Sequence, residues 1–257
     1  MMNILHLILY SNISDGINNE DIINEKMKNI QEQYYNTYES NVKTYYIRYN
    51  KNDDNLEYIL EGNILYINGD ESNIPGILDK TMKSLEYFKN IKYDYLVRSN
   101  ISTIINFKNL ICELYKNPIN FYGGGTLINL QWKGNGINDE TFYGTLFAQG
   151  TSIILTNDAV NLLLEKKDLL KYDIVDDVSI GIFMRENKKD FLPEEIDKKY
   201  FVIMPCFLYQ IDNKYENIKS HYENRNIIFY RNKHIDDRNL DLMQMNILIS
   251  LLLDKKI

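Results

Sequence analysis

The stretch NILHLILY at residues 3–10 predicts the first buried strand of an α/β fold. It is an apolar run followed by the polar, Asn-rich segment SNISDGINN, as is typical of a strand and the loop that leaves it. A membrane-spanning helix needs about 20 apolar residues, far more than this run contains. The run also has no basic leader and no small-residue cleavage site, so we expect neither a signal peptide nor a membrane anchor.

Helices and strands alternate in the residues that follow, which predicts a central mixed, mostly parallel sheet flanked by helices. Apolar residues recur at helical spacing in some segments and in short continuous runs in others. The expected elements of the first half are a helix at residues 21–38, strands at 42–49 and 64–67, a helix that begins near Pro75, the strand YDYLV and a helix at 107–116.

The second half is richer in loops and contains most of the glycines and the single tryptophan, Trp132. The GGG of residues 123–125 is typical of a flexible turn. No linker or internal repeat divides the chain, so we expect one domain over residues 1–257. The expected elements are the strand TSIILT, a helix capped by Asn157, a helix that begins in IVDDVSIGIFM, the strands YFVIMPCFLY and NIIFYR, and a helix at 240–253.

Charge argues against a nucleic-acid-binding or membrane-binding surface. The chain has 36 acidic and 29 basic side chains and a net charge of -7, and such a protein repels phosphate at long range. An anionic ligand would therefore need a local basic cluster. Arginine is scarce, and its positions are Arg48, Arg98, Arg185, Arg225, Arg231 and Arg238.

Several familiar chemistries are excluded by their missing motifs. The chain has no G-x-x-x-x-G-K-[ST] loop, no G-x-G-x-x-G after the first strand and no G-x-S-x-G elbow. Its three histidines show no zinc-type spacing with the cysteines. Cys112 and Cys206 lie in apolar stretches, so we expect buried, reduced thiols and a cytoplasmic protein.

Ligands of open α/β sheets bind at the carboxyl ends of the strands, where loops leave the sheet. Polar clusters follow three of the predicted strands and are therefore candidate binding residues. They are Tyr10, Ser11 and Asn12 after the first strand, Asp70 and Glu71 after the third, and RSNIS, with Arg98, Asn100 and Ser102, after the fourth.

The pair Asp176 and Asp177 has two interpretations. Carboxylates at the start of an apolar helix can cap it and complement its dipole, which is a structural role. Alternatively one caps the helix and the other projects into a site as a base, with a pKa set by burial and by its charged neighbour.

The basic residues have two interpretations as well. Arg98 would either pair with a surface carboxylate or bind a phosphate with its planar guanidinium. Arg231, Lys233, His234 and Arg238 fall within eight residues, in FYRNKHIDDRNLD. This segment is either a solvated charged turn or an anion-binding site.

The order of these segments resembles the glycosyltransferase family that includes fringe and the β-1,3-galactosyl- and N-acetylglucosaminyltransferases. The similarity spans residues 55–185, and it is carried by motif order and spacing. The family's K-T pair matches Lys80 and Thr81 in GDESNIPGILDKT, and its D-D-D metal motif matches Arg98, Ser99 and Asn100. Its glycine-led strand matches residues 150–156. Its E/D-D-V/T-x-x-G motif matches Asp176, Asp177, Val178 and Gly181.

The resemblance implies a GT-A (Rossmann-like) fold, a UDP-sugar donor and inverting transfer of the sugar to a hydroxyl of a glycan or glycoprotein. Residues 1–118 would be the nucleotide-binding half, and residues 119–257 the acceptor-binding and catalytic half. Asp177 would be the base, beside Asp176. The nucleotide and sugar would contact Tyr10, Ser11, Asn12, Asp70, Glu71, Lys80, Asn100, Ser102 and Gly150.

The chain departs from the family at the metal motif. Arg98-Ser99-Asn100 provides no carboxylate for a divalent metal, although Asp70 or Glu71 could recruit Mn²⁺ or Mg²⁺. Either Arg98, Arg231, Lys233 and Arg238 replace the metal at the diphosphate, or catalysis is lost and a nucleotide-sugar- or glycan-binding protein remains. Trp132 either belongs to an acceptor lid, where it would stack on a sugar ring, or has a packing role.

Overall fold

A computed structural model describes residues 2–10, 19–50, 56–116, 118, 121–187, 208–210, 219–220, 227–234 and 237–254. The strands are β1 (Ile4–Leu9), β2 (Val42–Asn50), β3 (Tyr58–Glu61), β4 (Ile64–Asn68), β5 (Tyr95–Asn100), β6 (Thr103–Ile105), β7 (Tyr122–Gly124), β8 (Leu127–Asn129), β9 (Leu146–Ala148), β10 (Ile153–Thr156), β11 (Leu208–Gln210) and β12 (Phe229–Arg231). The helices are α1 (Asn19–Tyr35), α2 (Gly76–Phe88), α3 (Phe107–Lys116), α4 (Asn157–Glu165), α5 (Asp176–Asn187) and α6 (Arg238–Asp254).

Within the described residues, seven strands form a central sheet in the order β3-β4-β2-β1-β5-β10-β7. Strands β4, β2, β1 and β5 pair in parallel, whereas β3 and β10 pair antiparallel to their neighbours. Since β7 is antiparallel to β10, it runs in the same direction as β5. The predicted α/β fold with a mixed, mostly parallel sheet is therefore confirmed.

The sheet separates two apolar layers because successive side chains of a strand point to opposite faces. All six residues of β1 are buried. Ile4 and Ile8 pack with α1, α3 and α6, whereas Leu5, Leu7 and Leu9 pack with α2, α4 and α5. Both faces of the sheet are thus covered, and the strand ends remain for loops and ligands.

Two smaller sheets flank the central one. Strands β11, β12 and β6 form one of them, and the hairpin β8–β9 forms the other. A separate apolar cluster joins this hairpin to α5 through residues such as Phe147 and Val178. A Cβ on Gly181 would lie 2.3 Å from Cβ of Phe147, so the glycine allows α5 to lie directly against β9.

A segment predicted to follow a strand and a predicted turn are instead parts of strands. The RSN of RSNIS lies inside β5, because Leu7, Ile8 and Leu9 of β1 continue the parallel pairing as far as Asn100. In the GGG segment, Gly123 and Gly124 lie in β7. A Cβ on Gly124 would be 2.5 Å from the carbonyl oxygen of Ser152, so close strand approach, and not flexibility, explains this glycine.

Two local predictions were wrong, and part of a third lies outside the described residues. Thr156, not Asn157, caps α4, and its hydroxyl accepts a hydrogen bond from the Ala159 N–H. Cys112 is exposed rather than buried, on the outer side of α3. Cys206 lies outside the described residues, as does most of YFVIMPCFLY. None of the helices in the described segments is long and apolar enough to span a membrane.

Candidate functional site

A cleft of about 860 Å³ opens where β1 and β5 end. The N-termini of α5 and α6 border it, together with the turn between β9 and β10. The cleft lies at the carboxyl ends of parallel strands, where open α/β sheets bind ligands. Its lining includes eleven of the residues predicted from the sequence, namely Tyr10, Lys80, Arg98, Asn100, Ser102, Gly150, Asp176, Asp177, Arg231, Lys233 and Arg238.

The remaining predicted residues differ in their placement. Ser11 and Asn12 lie outside the described residues. Asp70 is exposed and is not part of the cleft lining, and Glu71 lies behind the lining as the partner of Lys80. The structure thus brings the carboxylates of α5 together with the basic residues around α6, which are far apart in sequence.

Asp177 is a half-buried carboxylate in the first turn of α5. Its Oδ2 accepts a hydrogen bond from the Gly150 N–H at 2.9 Å, and its Oδ1 accepts one from the Val178 N–H at 2.9 Å. Burial raises the pKa of Asp177 above its ordinary value of 3.8, and the nearby charge of Asp176 raises it further. A carboxylate of this kind is a stronger base than one in water.

Arg98 is a buried cation that is already paired. Its Nη2 lies 2.5 Å from Oδ2 of Asp176, and its Nη1 donates a hydrogen bond of 2.7 Å to the Gly150 carbonyl. The side chain of Arg98 is only 4% exposed. Gly150 therefore links the two charged groups, since its carbonyl binds Arg98 and its N–H binds Asp177.

The other cations surround the C-terminal side of the cleft. Arg231 ends β12, Lys233 is exposed, and Arg238 begins α6. Among the residues that the structure describes, no carboxylate forms an ion pair with Arg231 or Lys233. Burial lowers the pKa of Arg231, and the charge of Arg238 lowers it further. Three cations are concentrated here beside the carboxylates of Asp237 and Asp241, in a protein that is acidic as a whole.

Lys80 joins two of the loops that leave the sheet. Its Nζ lies 2.6 and 2.8 Å from the two carboxylate oxygens of Glu71 and donates a hydrogen bond of 3.1 Å to the Tyr10 carbonyl. Its side chain is 1% exposed, and the ring of Tyr49 lies 4.7 Å from the ammonium. Glu71 is thus engaged by Lys80, which fixes the end of β1 at the cleft.

The residues at the family's metal position do not fit a divalent cation. Arg98 places a guanidinium there and holds Asp176 in an ion pair. The Ser99 hydroxyl is hydrogen-bonded to Nε2 of the buried His6 at 2.9 Å. Oδ1 of Asn100 accepts hydrogen bonds from the hydroxyls of Ser102 and Thr103. Magnesium and manganese prefer several free oxygen ligands, and this donor set offers none.

Sequence reasoning missed Asp241 and named His234 only as a member of the basic segment, with no role of its own. His234 lines the cleft, and the buried Asp241 lies behind it. A histidine inside the segment RNKHIDDR is a weak signal, because such a segment is equally typical of a solvated turn. Asp241 falls three residues after Arg238 in a helix, a spacing that places the two side chains on one face.

Trp132 belongs to a turn that packs against β9 and against the residues just before α5. The residue is 36% exposed and makes an edge contact with Phe147, at 5.8 Å between ring centroids. Gly136, with φ of +82°, lies against the backbone of Asp173, and a Cβ there would be 2.0 Å from the Asp173 carbonyl oxygen. The Val175 N–H donates a hydrogen bond to the Asn135 carbonyl. These contacts show the turn packed against its neighbours, and the acceptor-lid interpretation of the sequence stays a prediction.

Comparisons with known proteins give similarity of structure and none of sequence. No family model matches the chain, and no curated protein sequence matches it. One similar solved structure is described as a glycosyltransferase involved in the glycosylation of the major capsid of PBCV-1, with 14% identity, coverage of 95% of this chain and 98% of that one, and a TM-score of 0.39. Another is 4-diphosphocytidyl-2C-methyl-D-erythritolsynthase from Anaerococcus prevotii DSM 20548, with 11% identity, coverage of 72% and 83%, and a TM-score of 0.39. Neither similarity assigns a role to a residue, and the resemblance to fringe stays a prediction.

Proposed function

We propose that the chain is a glycosyltransferase that moves a sugar from a nucleotide-sugar donor, most simply a UDP-sugar, to a hydroxyl of a glycan or glycoprotein, with inversion. One observation carries the proposal. A half-buried carboxylate with a raised pKa, Asp177, lies in the same cleft as Arg231, Lys233 and Arg238. Inverting transfer needs a base for the acceptor and positive charge for the leaving diphosphate.

The proposed step is a direct displacement. Asp177 accepts the proton of the acceptor hydroxyl, whose oxygen forms a bond to the anomeric carbon. The bond between that carbon and the diphosphate oxygen breaks, and its electron pair leaves with the nucleoside diphosphate. Arg231, Lys233 and Arg238 offset the charge that develops on this leaving group. Because the new bond forms opposite the breaking one, the anomeric configuration inverts.

Arg98 takes a positioning role in this proposal, rather than the diphosphate-binding role that the sequence suggested. Its ion pair with Asp176 and its hydrogen bond to the Gly150 carbonyl fix the peptide that donates to Asp177. Asp176 then compensates the charge of Arg98. The cationic charge for the diphosphate comes from the C-terminal residues, and no step requires a divalent metal.

Tyr10, Lys80, Asn100, Ser102 and Gly150 remain proposed contacts or supports of the nucleotide and sugar. Lys80 would act through the end of β1, because both of its strong contacts are made inside the protein. Glu71 would act only through Lys80. The exposed Asp70 and the residues Ser11 and Asn12 keep their proposed nucleoside role.

The experiment that tests this function is a donor panel. The protein is incubated with individual UDP-sugars and a glycan mixture, and free UDP and glycosylated products are measured. We expect acceptor-dependent UDP release from one donor, with an inverted anomeric centre by NMR. Donor binding without release would favour the alternative, a nucleotide-sugar-binding protein that has lost transfer. Absence of both binding and release would contradict both functions.

A further inference from the structure

A buried carboxylate behind the cleft, Asp241, holds two of the side chains that line it. Asp241 is 0% exposed and lies in the first turn of α6. Its Oδ1 accepts hydrogen bonds from the backbone N–H of His234 at 3.0 Å and from Nδ1 of His234 at 2.6 Å. Its Oδ2 pairs with the guanidinium of Arg238. One carboxylate therefore orients an imidazole and a guanidinium at the same time.

This arrangement determines which nitrogen of His234 is available to a ligand. An ionised carboxylate only accepts hydrogen bonds, so Nδ1 carries the proton that is shared with Asp241. The ring lines the cleft and its side chain is 25% exposed. Nε2 is consequently the nitrogen left for a ligand, and in the protonated ring it is a donor that suits a phosphate oxygen.

The charges around His234 favour an anion. Arg231 from β12 and Arg238 from α6 lie beside Asp241, and Lys233 and Asp237 also line this side of the cleft. Lys80, Arg98, Asp176 and Asp177 line its other parts, but Asp176 is compensated by Arg98. Among the described residues on this side, the three cations Arg231, Lys233 and Arg238 thus stand against the two carboxylates Asp237 and Asp241, which leaves an excess of positive charge. A phosphate-containing ligand would offset this excess.

We propose that His234 donates a hydrogen bond from Nε2 to the diphosphate of a nucleoside diphosphate, and that Asp241 is the residue that positions His234 and Arg238 for it. The identity of the ligand rests on the proposed function. The positioning role of Asp241 rests on the contacts just described.

Asp241→Asn separates positioning from simple charge compensation. If Asp241 only neutralised its neighbours, removing its charge would make the cleft more positive and tighten UDP binding. If it positions His234 and Arg238, UDP binding weakens roughly ten- to hundredfold, as expected for the loss of one charge-assisted hydrogen bond. Asp254→Asn, at the exposed end of the same helix, is the matched control and leaves UDP binding unchanged.

Two substitutions of His234 distinguish a ligand contact from a structural one. Asparagine can replace Nδ1 and keep the bond to Asp241, whereas glutamine can place a donor near the position of Nε2. We expect His234→Asn to lose UDP affinity and His234→Gln to retain most of it. Both side chains fit a partly exposed position, so folding, checked by circular dichroism, is retained.

Isothermal titration with UDP, inorganic pyrophosphate and uridine measures these effects. We expect His234→Asn and Asp241→Asn to weaken the binding of UDP and of pyrophosphate and to leave the binding of uridine unchanged. Equal UDP affinity in wild type and His234→Asn, or tighter binding in Asp241→Asn, would overturn the inference. UDP binding that depends on His234 without any sugar transfer would contradict the proposed function and leave this inference intact.

Discussion

Asp177→Asn is expected to abolish most of the sugar transfer while donor binding is kept. Asparagine can still accept the Gly150 N–H bond but cannot take a proton from the acceptor hydroxyl. General-base catalysis of this type contributes about 10²- to 10⁴-fold, so we expect kcat to fall by that factor. Steady-state kinetics with the donor found in the panel, together with a donor Kd from calorimetry, measure both quantities.

The pH profile provides a second test of the same residue. The base works in its ionised form, so kcat/KM rises with pH as Asp177 loses its proton. Since burial and Asp176 raise its pKa, this acid limb lies above the ordinary value of 3.8.

The raised pKa of Asp177 also affects stability. The folded state favours the protonated carboxyl, and the stability that this carboxyl contributes is lost as pH rises through the folded pKa. Asp177→Asn at neutral pH should therefore melt at no lower temperature than wild type.

Asp173→Asn is the matched control for Asp177→Asn. Asp173 is exposed, lies four residues earlier in the chain and is not part of the cleft lining. The control is expected to keep wild-type kcat and the wild-type acid limb. Wild-type transfer by Asp177→Asn, or an equal loss in Asp173→Asn, would show that Asp177 is not the base.

Arg98→Met is expected to have the largest effect on stability. It leaves the carboxylate of Asp176, which is 10% exposed, without its ion-pair partner. Removing one partner of a buried pair costs about 3–5 kcal/mol, because the remaining charge is uncompensated. The free energy of unfolding in urea, followed by circular dichroism or by the fluorescence of the single Trp132, measures the loss.

A double variant and a surface control complete this test. Arg98→Met with Asp176→Leu removes both charges, and replacement of a buried pair by apolar side chains is often close to neutral. We expect the double variant to recover most of the lost stability. Lys43→Met breaks an exposed ion pair of 3.5 Å with Glu39 and should cost less than about 1 kcal/mol. A similar small cost for Arg98→Met would mean that the Arg98–Asp176 pair does not hold the site.

The main elements of the fold could be predicted from the sequence because their patterns are long. The apolar run that became β1 is buried on both faces, and the helical spacing of α2 produces a clear apolar side. The short strands could not be predicted in the same way. Strands such as β6 and β7 have three residues each, too few for a period, and their pairing depends on neighbours distant in the chain.

The candidate site was predictable in composition but not in its contacts. Strand-end clusters and scarce arginines indicated residues that the structure brings into one cleft. The sequence left open whether Arg98 meets a carboxylate or a phosphate, and its partner Asp176 lies 78 positions further along. Asp241 gave no signal at all, because a carboxylate in the first turn of a helix is ordinary. The roles of Arg98 and Asp241 depend on which side chains they contact in the folded protein, and the local sequence pattern does not indicate those contacts.

The central claim is that cationic side chains bind the diphosphate in place of a divalent metal. Isothermal titration of the wild-type protein with UDP, once in EDTA and once with Mn²⁺, tests it most directly. We predict the same Kd in both conditions, and a loss of binding in the double variant Arg231→Met with Lys233→Met. Binding that disappears in EDTA and returns with Mn²⁺, or no UDP binding in either condition, would contradict the claim.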